Sequence, residues 1–152
     1  MNFVEIVDRL KDWRRELLKL DRLGDLKALV WVNSLYILAS NGLGVEELRR
    51  CLNDYCRYGR REATIKSIAK LDRRCVIPND ISDWELQLMC RELPLKDKER
   101  FKYNLNYYSK SYLGVSPRAI RYAFIEYLAE HLVDDKKVRE ILGLKRGRKA
   151  ME

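Results

Sequence analysis

Residues 26–39 constrain this chain more than any other stretch: Leu-Lys-Ala-Leu-Val-Trp-Val-Asn-Ser-Leu-Tyr-Ile-Leu-Ala is apolar on most sides of a helix. A helix apolar all round has to be enclosed by other elements. Its unbroken part, 28–39, is about half the roughly 20 residues that cross a bilayer, and it carries Asn33 and Ser34. The stretch is therefore expected at the centre of a core, not in a membrane. The start, Met1-Asn2-Phe3-Val4-Glu5, lacks the basic and apolar regions of a secretory leader. The expectation is a soluble cytoplasmic protein with no membrane partner.

A chain of 152 residues suits one domain around one core. We expect a single domain over 1–144 and a basic tail over 145–152. In front of the central helix, Phe3, Ile6, Val7, Leu10, Trp13, Leu17 and Leu20 recur every three or four residues, one apolar helical face. Gly24 is expected to break that helix and Asp25 to cap the next. Asn41-Gly42 stops the central helix, with Gly44 extending the turn. A third helix is expected over 45–55, with Glu46 and Glu47 in the first turn, where the dipole favours them.

The pattern then changes to period two at Ala63-Thr64-Ile65-Lys66-Ser67-Ile68, and Cys75-Val76-Ile77 is a short apolar run stopped by Pro78. These predict a small β-hairpin with a charged tip over Lys70-Leu71-Asp72-Arg73-Arg74. Helices resume at Ser82-Asp83-Trp84-Glu85, a capping box, and stop at Pro94. Another is expected from about Lys96 towards Tyr112. Ser116-Pro117 opens one that reaches His131, and Asp134-Asp135 caps a last one ending at Gly143. The fold class expected is mainly α with a small hairpin.

The chain holds 31 Lys+Arg against 23 Asp+Glu, a net charge of +8. Such an excess favours a polyanion through phosphate contacts and counterion release, although charge-rich proteins from hot environments share it. The cysteines are Cys51, Cys56, Cys75 and Cys90, and the only histidine, His131, is far from them. No second close pair completes a zinc site, so no metal is expected and the thiols are read as structural and reduced.

Three segments, in order, resemble the catalytic domain of tyrosine recombinases, most closely the integrases of archaea and their viruses. Asn41-Gly42-Leu43-Gly44-Val45-Glu46-Glu47-Leu48 resembles the family's T-G-L-R-x-x-E-L element, with Gly44 where the first catalytic arginine belongs. Lys70 to Pro78 resembles the hairpin whose lysine, here Lys70, protonates the leaving hydroxyl. Ser116-Pro117-Arg118-Ala119-Ile120-Arg121-Tyr122-Ala123-Phe124 resembles the H-x-L-R-[HY]-x-F box. There Arg121 matches the second catalytic arginine and Arg118 replaces the histidine. Val138 to Gly143 resembles V-x-x-x-L-G. No tyrosine follows Gly143 where the nucleophile would stand.

The resemblance implies a tyrosine-recombinase-like fold and catalytic positions at Lys70, Arg118 and Arg121. It also implies double-stranded DNA as partner, bound through Lys70, Arg73, Arg74, Arg118, Arg121 and the tail residues Lys145, Arg146 and Arg148. Self-association on DNA fits the family. No cofactor and no small-molecule substrate are expected. Cleavage needs the tyrosine, two arginines and a proton donor, so the chain is expected to bind DNA without cutting it alone. Two other readings are a truncated or split active integrase and a basic helical adaptor for protein partners. The tyrosines 103, 107, 108 and 112 lie at near-helical spacing and are read as core and rim packing rather than a base-stacking platform.

Overall fold

A computed structural model describes residues 1–20, 23–67, 69–131 and 134–144. Among them the chain forms α1 (Phe3–Lys19), α2 (Leu23–Asn41), α3 (Val45–Tyr58), β1 (Glu62–Lys66), β2 (Asp72–Val76), α4 (Asp83–Glu92), α5 (Lys98–Leu113), α6 (Pro117–His131) and α7 (Asp135–Leu142). The fold is mainly helical with one two-stranded antiparallel sheet. Among the described residues no single helix is long and apolar enough to cross a membrane.

The central position of α2 follows from its composition. Residues 28–39 are all buried, and α1, α3, α4, α5, α6 and β2 pack around them. The helix starts earlier than expected. Gly24 lies inside its first turn, and Asp25 is an acidic first-turn residue rather than the cap. A glycine in a helix costs about 1 kcal/mol, which the burial of so long an apolar face outweighs.

The end of α2 carries the fold's sharpest local constraint. Gly42 has φ +64°, and a Cβ on it would stand 1.9 Å from Cδ1 of Phe124 in α6. Only glycine satisfies both the left-handed turn and the ring. We expect Gly42→Ala to cost about 2–4 kcal/mol, from backbone strain plus overpacking. Thermal denaturation measures it, and a loss below about 0.5 kcal/mol would mean that the ring simply yields.

The hairpin forms as expected, but its tip is shorter. Asp72, Arg73 and Arg74 belong to β2, in register with Lys66, Ile65 and Thr64. The inward residues of β2 are Arg73 and Cys75. The alternation therefore runs Arg73, Cys75, Ile77, and an arginine occupies an inward position. Outer-face charges pair across the strands, Lys66 with Asp72 at 2.6 Å and Arg74 with Glu62 at 2.7 Å; exposed pairs of this kind contribute at most about 1 kcal/mol. Ile68, assigned to the first strand by its alternation, lies outside the described residues.

The cysteines correct the sequence expectation. All four are paired, Cys51 with Cys75 and Cys56 with Cys90. One bridge ties α3 to β2 and the other ties α3 to α4. Spacing hid the partners because each bridge joins elements brought together only by packing.

Candidate nucleic-acid interface

The site expected from sequence is built around the end of α2, the hairpin and α6. Asn41 makes the first connection. Its side chain accepts from Val76 N and donates to Val76 O, both at 2.8 Å, as a third strand would. This holds β2 against the C-terminus of α2. On the other side, Ser67 Oγ donates to Gly143 O at 2.6 Å. A Cβ on Gly143 would meet Ser67 Cβ at 2.9 Å and Asp72 O at 3.0 Å, so α7 ends flush against the hairpin.

Arg73 joins these parts from within. It is only 2% exposed. Its guanidinium donates to Asn41 O and, at 2.5 Å, to Ile141 O, at the C-terminal ends of α2 and α7. Helix C-termini leave carbonyls unpaired and carry partial negative charge, which a buried cation satisfies. Burial nevertheless pulls the Arg73 pKa down to about 10; Glu47 opposes this and Arg121 adds to it. Arg73 was expected among the DNA contacts. It is instead an internal clamp, because its inward register leaves it no outer surface.

Glu47 and Arg121 thus both lie within electrostatic reach of Arg73. Glu47 accepts from Gly44 N at 2.8 Å through one oxygen. Its second oxygen, the Arg73 Nε and the Arg121 Nε are sealed from solvent and have no protein partner. Gly44, at the first-arginine position of the resemblance, caps α3 and offers only its N–H.

The remaining expected residues are more exposed. Lys70 sits in the turn between the strands, exposed, with a left-handed φ of 62°, a conformation lysine seldom adopts. Arg74 is exposed but paired with Glu62. Arg118, at the start of α6, is exposed and meets no carboxylate among the described residues; it donates to the Tyr122 hydroxyl at 3.1 and 2.9 Å and lies over that ring. Lys145, Arg146 and Arg148 lie outside the described residues. Next to the hairpin, a cleft of about 460 Å³ is lined by Thr64, Asp72, Arg74, Phe124 and Glu140 among others. Its charges are mixed; the exposed cations among the expected residues that carry no carboxylate partner among the described residues are Lys70 and Arg118.

The tyrosines of α5 divide into two pairs. Tyr108 stacks on Trp31 and Tyr112 meets Trp13 edge-on, as core packing requires. Tyr103 and Tyr107 are 73% and 58% exposed. His131 ends α6, its Nδ1 2.8 Å from Tyr127 O, as expected of a helix C-terminal residue. Among the described residues no cluster of His, Cys, Asp and Glu has the makings of a metal site.

The polar group that sequence reading missed is Arg14, Asn33, Asp80 and Glu85. Arg14 donates to Asn33 at 2.6 Å and to Glu85 at 3.0 Å. The available signals were Asn33 inside an apolar helix and Arg14 in line with Leu10 and Leu17.

Comparison with protein-family models, with curated proteins and with solved structures finds no match for this chain.

Proposed function

We propose that this chain binds double-stranded DNA with the hairpin turn and the start of α6, as a degenerate relative of the tyrosine-recombinase catalytic domain. The observation that carries the reading is a neighbourhood. Gly42, in the first resembling segment, lies against the Phe124 ring of α6, and Arg73 of the hairpin donates to Asn41 O beside it, so the three resembling segments meet. Lys70 and Arg118 are both exposed, without carboxylate partners among the described residues. The net charge of +8 supports a polyanionic partner.

The reading gives Lys70 and Arg118 phosphate contacts and Arg121 a place behind them, half-buried. It assigns no cutting activity to the described residues: Gly44 supplies no guanidinium, and Arg118 cannot exchange protons as histidine does. Two disulfides in a cytoplasmic chain fit a hot habitat, where intracellular disulfides are common.

The test is a gel shift on duplex DNA over a salt series. Affinity should fall steeply with salt, and Arg118→Gln should reduce the salt slope by about one phosphate contact. Lys70→Gly relieves the left-handed lysine, so it should weaken binding while leaving the melting temperature equal or higher. A suicide substrate should yield no covalent adduct. No shift at low salt would end the DNA reading; an adduct would end the non-cutting part of it.

A further inference from the structure

We propose that the cavity between α2, α4 and α5 is a binding site for a nucleoside monophosphate. This cavity, about 530 Å³, lies away from the hairpin and is lined by Lys27, Trp31, Arg91, Glu92, Arg100 and Asn104 among others. Its volume falls in the range that holds a small ligand.

The lining separates into two kinds of surface. Val30, Trp31 and Leu88 are almost wholly buried and form an apolar wall. Around it stand three cations. Arg91 is paired with Glu92 at 3.1 Å, whereas Lys27 and Arg100 have no carboxylate partner among the described residues. Two uncompensated cations at the rim of an apolar cavity select a ligand with a flat apolar body and a doubly charged anion.

Trp31 supplies a second, independent indication. The indole stacks on Tyr108 and meets Phe101 at a tilt of 42°. The residue is 4% exposed. Its ring N–H donates to no acceptor among the described residues, yet it is not one of the sealed polar atoms. Trp31 lines the cavity, so a nearly buried side chain of its wall carries a donor with no partner among the described residues. Buried tryptophan N–H groups ordinarily find a partner. A ring nitrogen or carbonyl of a base is such a partner, and Asn104 adds both a donor and an acceptor. A fatty acid would leave these groups unused, and inorganic phosphate would leave the apolar wall wet.

Isothermal titration with AMP, adenosine and inorganic phosphate tests the assignment. AMP should bind saturably, at least tenfold more tightly than adenosine or phosphate. Arg100→Gln should weaken AMP tenfold or more while leaving the DNA gel shift unchanged, because Arg100 is not on the hairpin side. Lys70→Gly should leave AMP binding unchanged, which separates this site from the DNA surface. Absence of saturation by about 1 mM AMP, equal binding of phosphate, or an unaffected Arg100→Gln variant would each overturn the proposal.

Discussion

Replacing Arg14 with methionine is expected to lower stability by roughly 3–5 kcal/mol, the usual cost of leaving one partner of a buried ion pair alone. For a chain of this size that is a fall of about 6–20 °C in melting temperature. Arg14 is 4% exposed and joins four elements of structure. It donates to Asn33 on α2, to Glu85 on α4, and to the Asp80 carbonyl at 3.0 Å in the loop before α4. Glu85 is equally buried, and its other partners are Ser82 N and Oγ, both at 2.8 Å, and the Asn33 amide at 3.2 Å. Burial on its own would raise the Glu85 pKa. The Ser82 hydrogen bonds, then Asn33 and the Arg14 charge, outweigh it and hold the carboxyl below its ordinary value.

The sign of the pH effect follows. A carboxyl held low in the folded state contributes stability above its unfolded pKa, and that contribution is lost as pH falls through the folded value. Losing Arg14 should therefore raise the Glu85 pKa and move acid unfolding to higher pH. Glu85→Gln should flatten the acid limb. Replacing both Arg14 and Glu85 with methionine should recover much of the single-variant loss, since a buried pair exchanged for apolar groups is often near neutral. If Arg14→Met left both the melting temperature and the acid midpoint unchanged, the network would not be a structural tie.

How much of this was legible depends on how local each signal is. Ser82 with Glu85, Ser116 with Pro117, Asp134 and Gly143 announced helix ends because caps act within one turn. Residues 28–39 announced the core by composition. Arg14 was missed and Arg73 misread for one shared reason: a charged residue is normally on the solvent side. Each is held inward by partners distant in sequence, Glu85 at a separation of 71 and Ile141 at 68. At the candidate site, Lys70 at the turn was readable from the hairpin pattern. The depth of Arg73, and the separation of Arg118 from Arg121 into an exposed and a half-buried residue, required the packing of α7 on β2 and of α6 on α2 and α7.

Reduction should act in two steps and should weaken the DNA surface only at the second. Cys56 is exposed and Cys90 half-buried, whereas Cys51 and Cys75 are sealed. Thiol exchange needs access to the sulfur, so the Cys56–Cys90 bridge opens first as dithiothreitol is raised. Bridges closing 24 and 34 residues are each expected to contribute about 3–4 kcal/mol. Because the two loops overlap in sequence, their joint loss should be smaller than the sum. Alkylation followed by mass spectrometry reads the order, and thermal denaturation reads the cost. The functional consequence comes from position. Cys75 lies two residues beyond Arg73 on the same inner face of β2, and Cys51 is one helical turn beyond Glu47. Opening that bridge frees the strand that carries Arg73 and leads back to the Lys70 turn. DNA affinity should therefore hold through the first step and fall at the second. If affinity fell with Cys56–Cys90 alone, the hairpin would not be the element that holds the DNA surface in place.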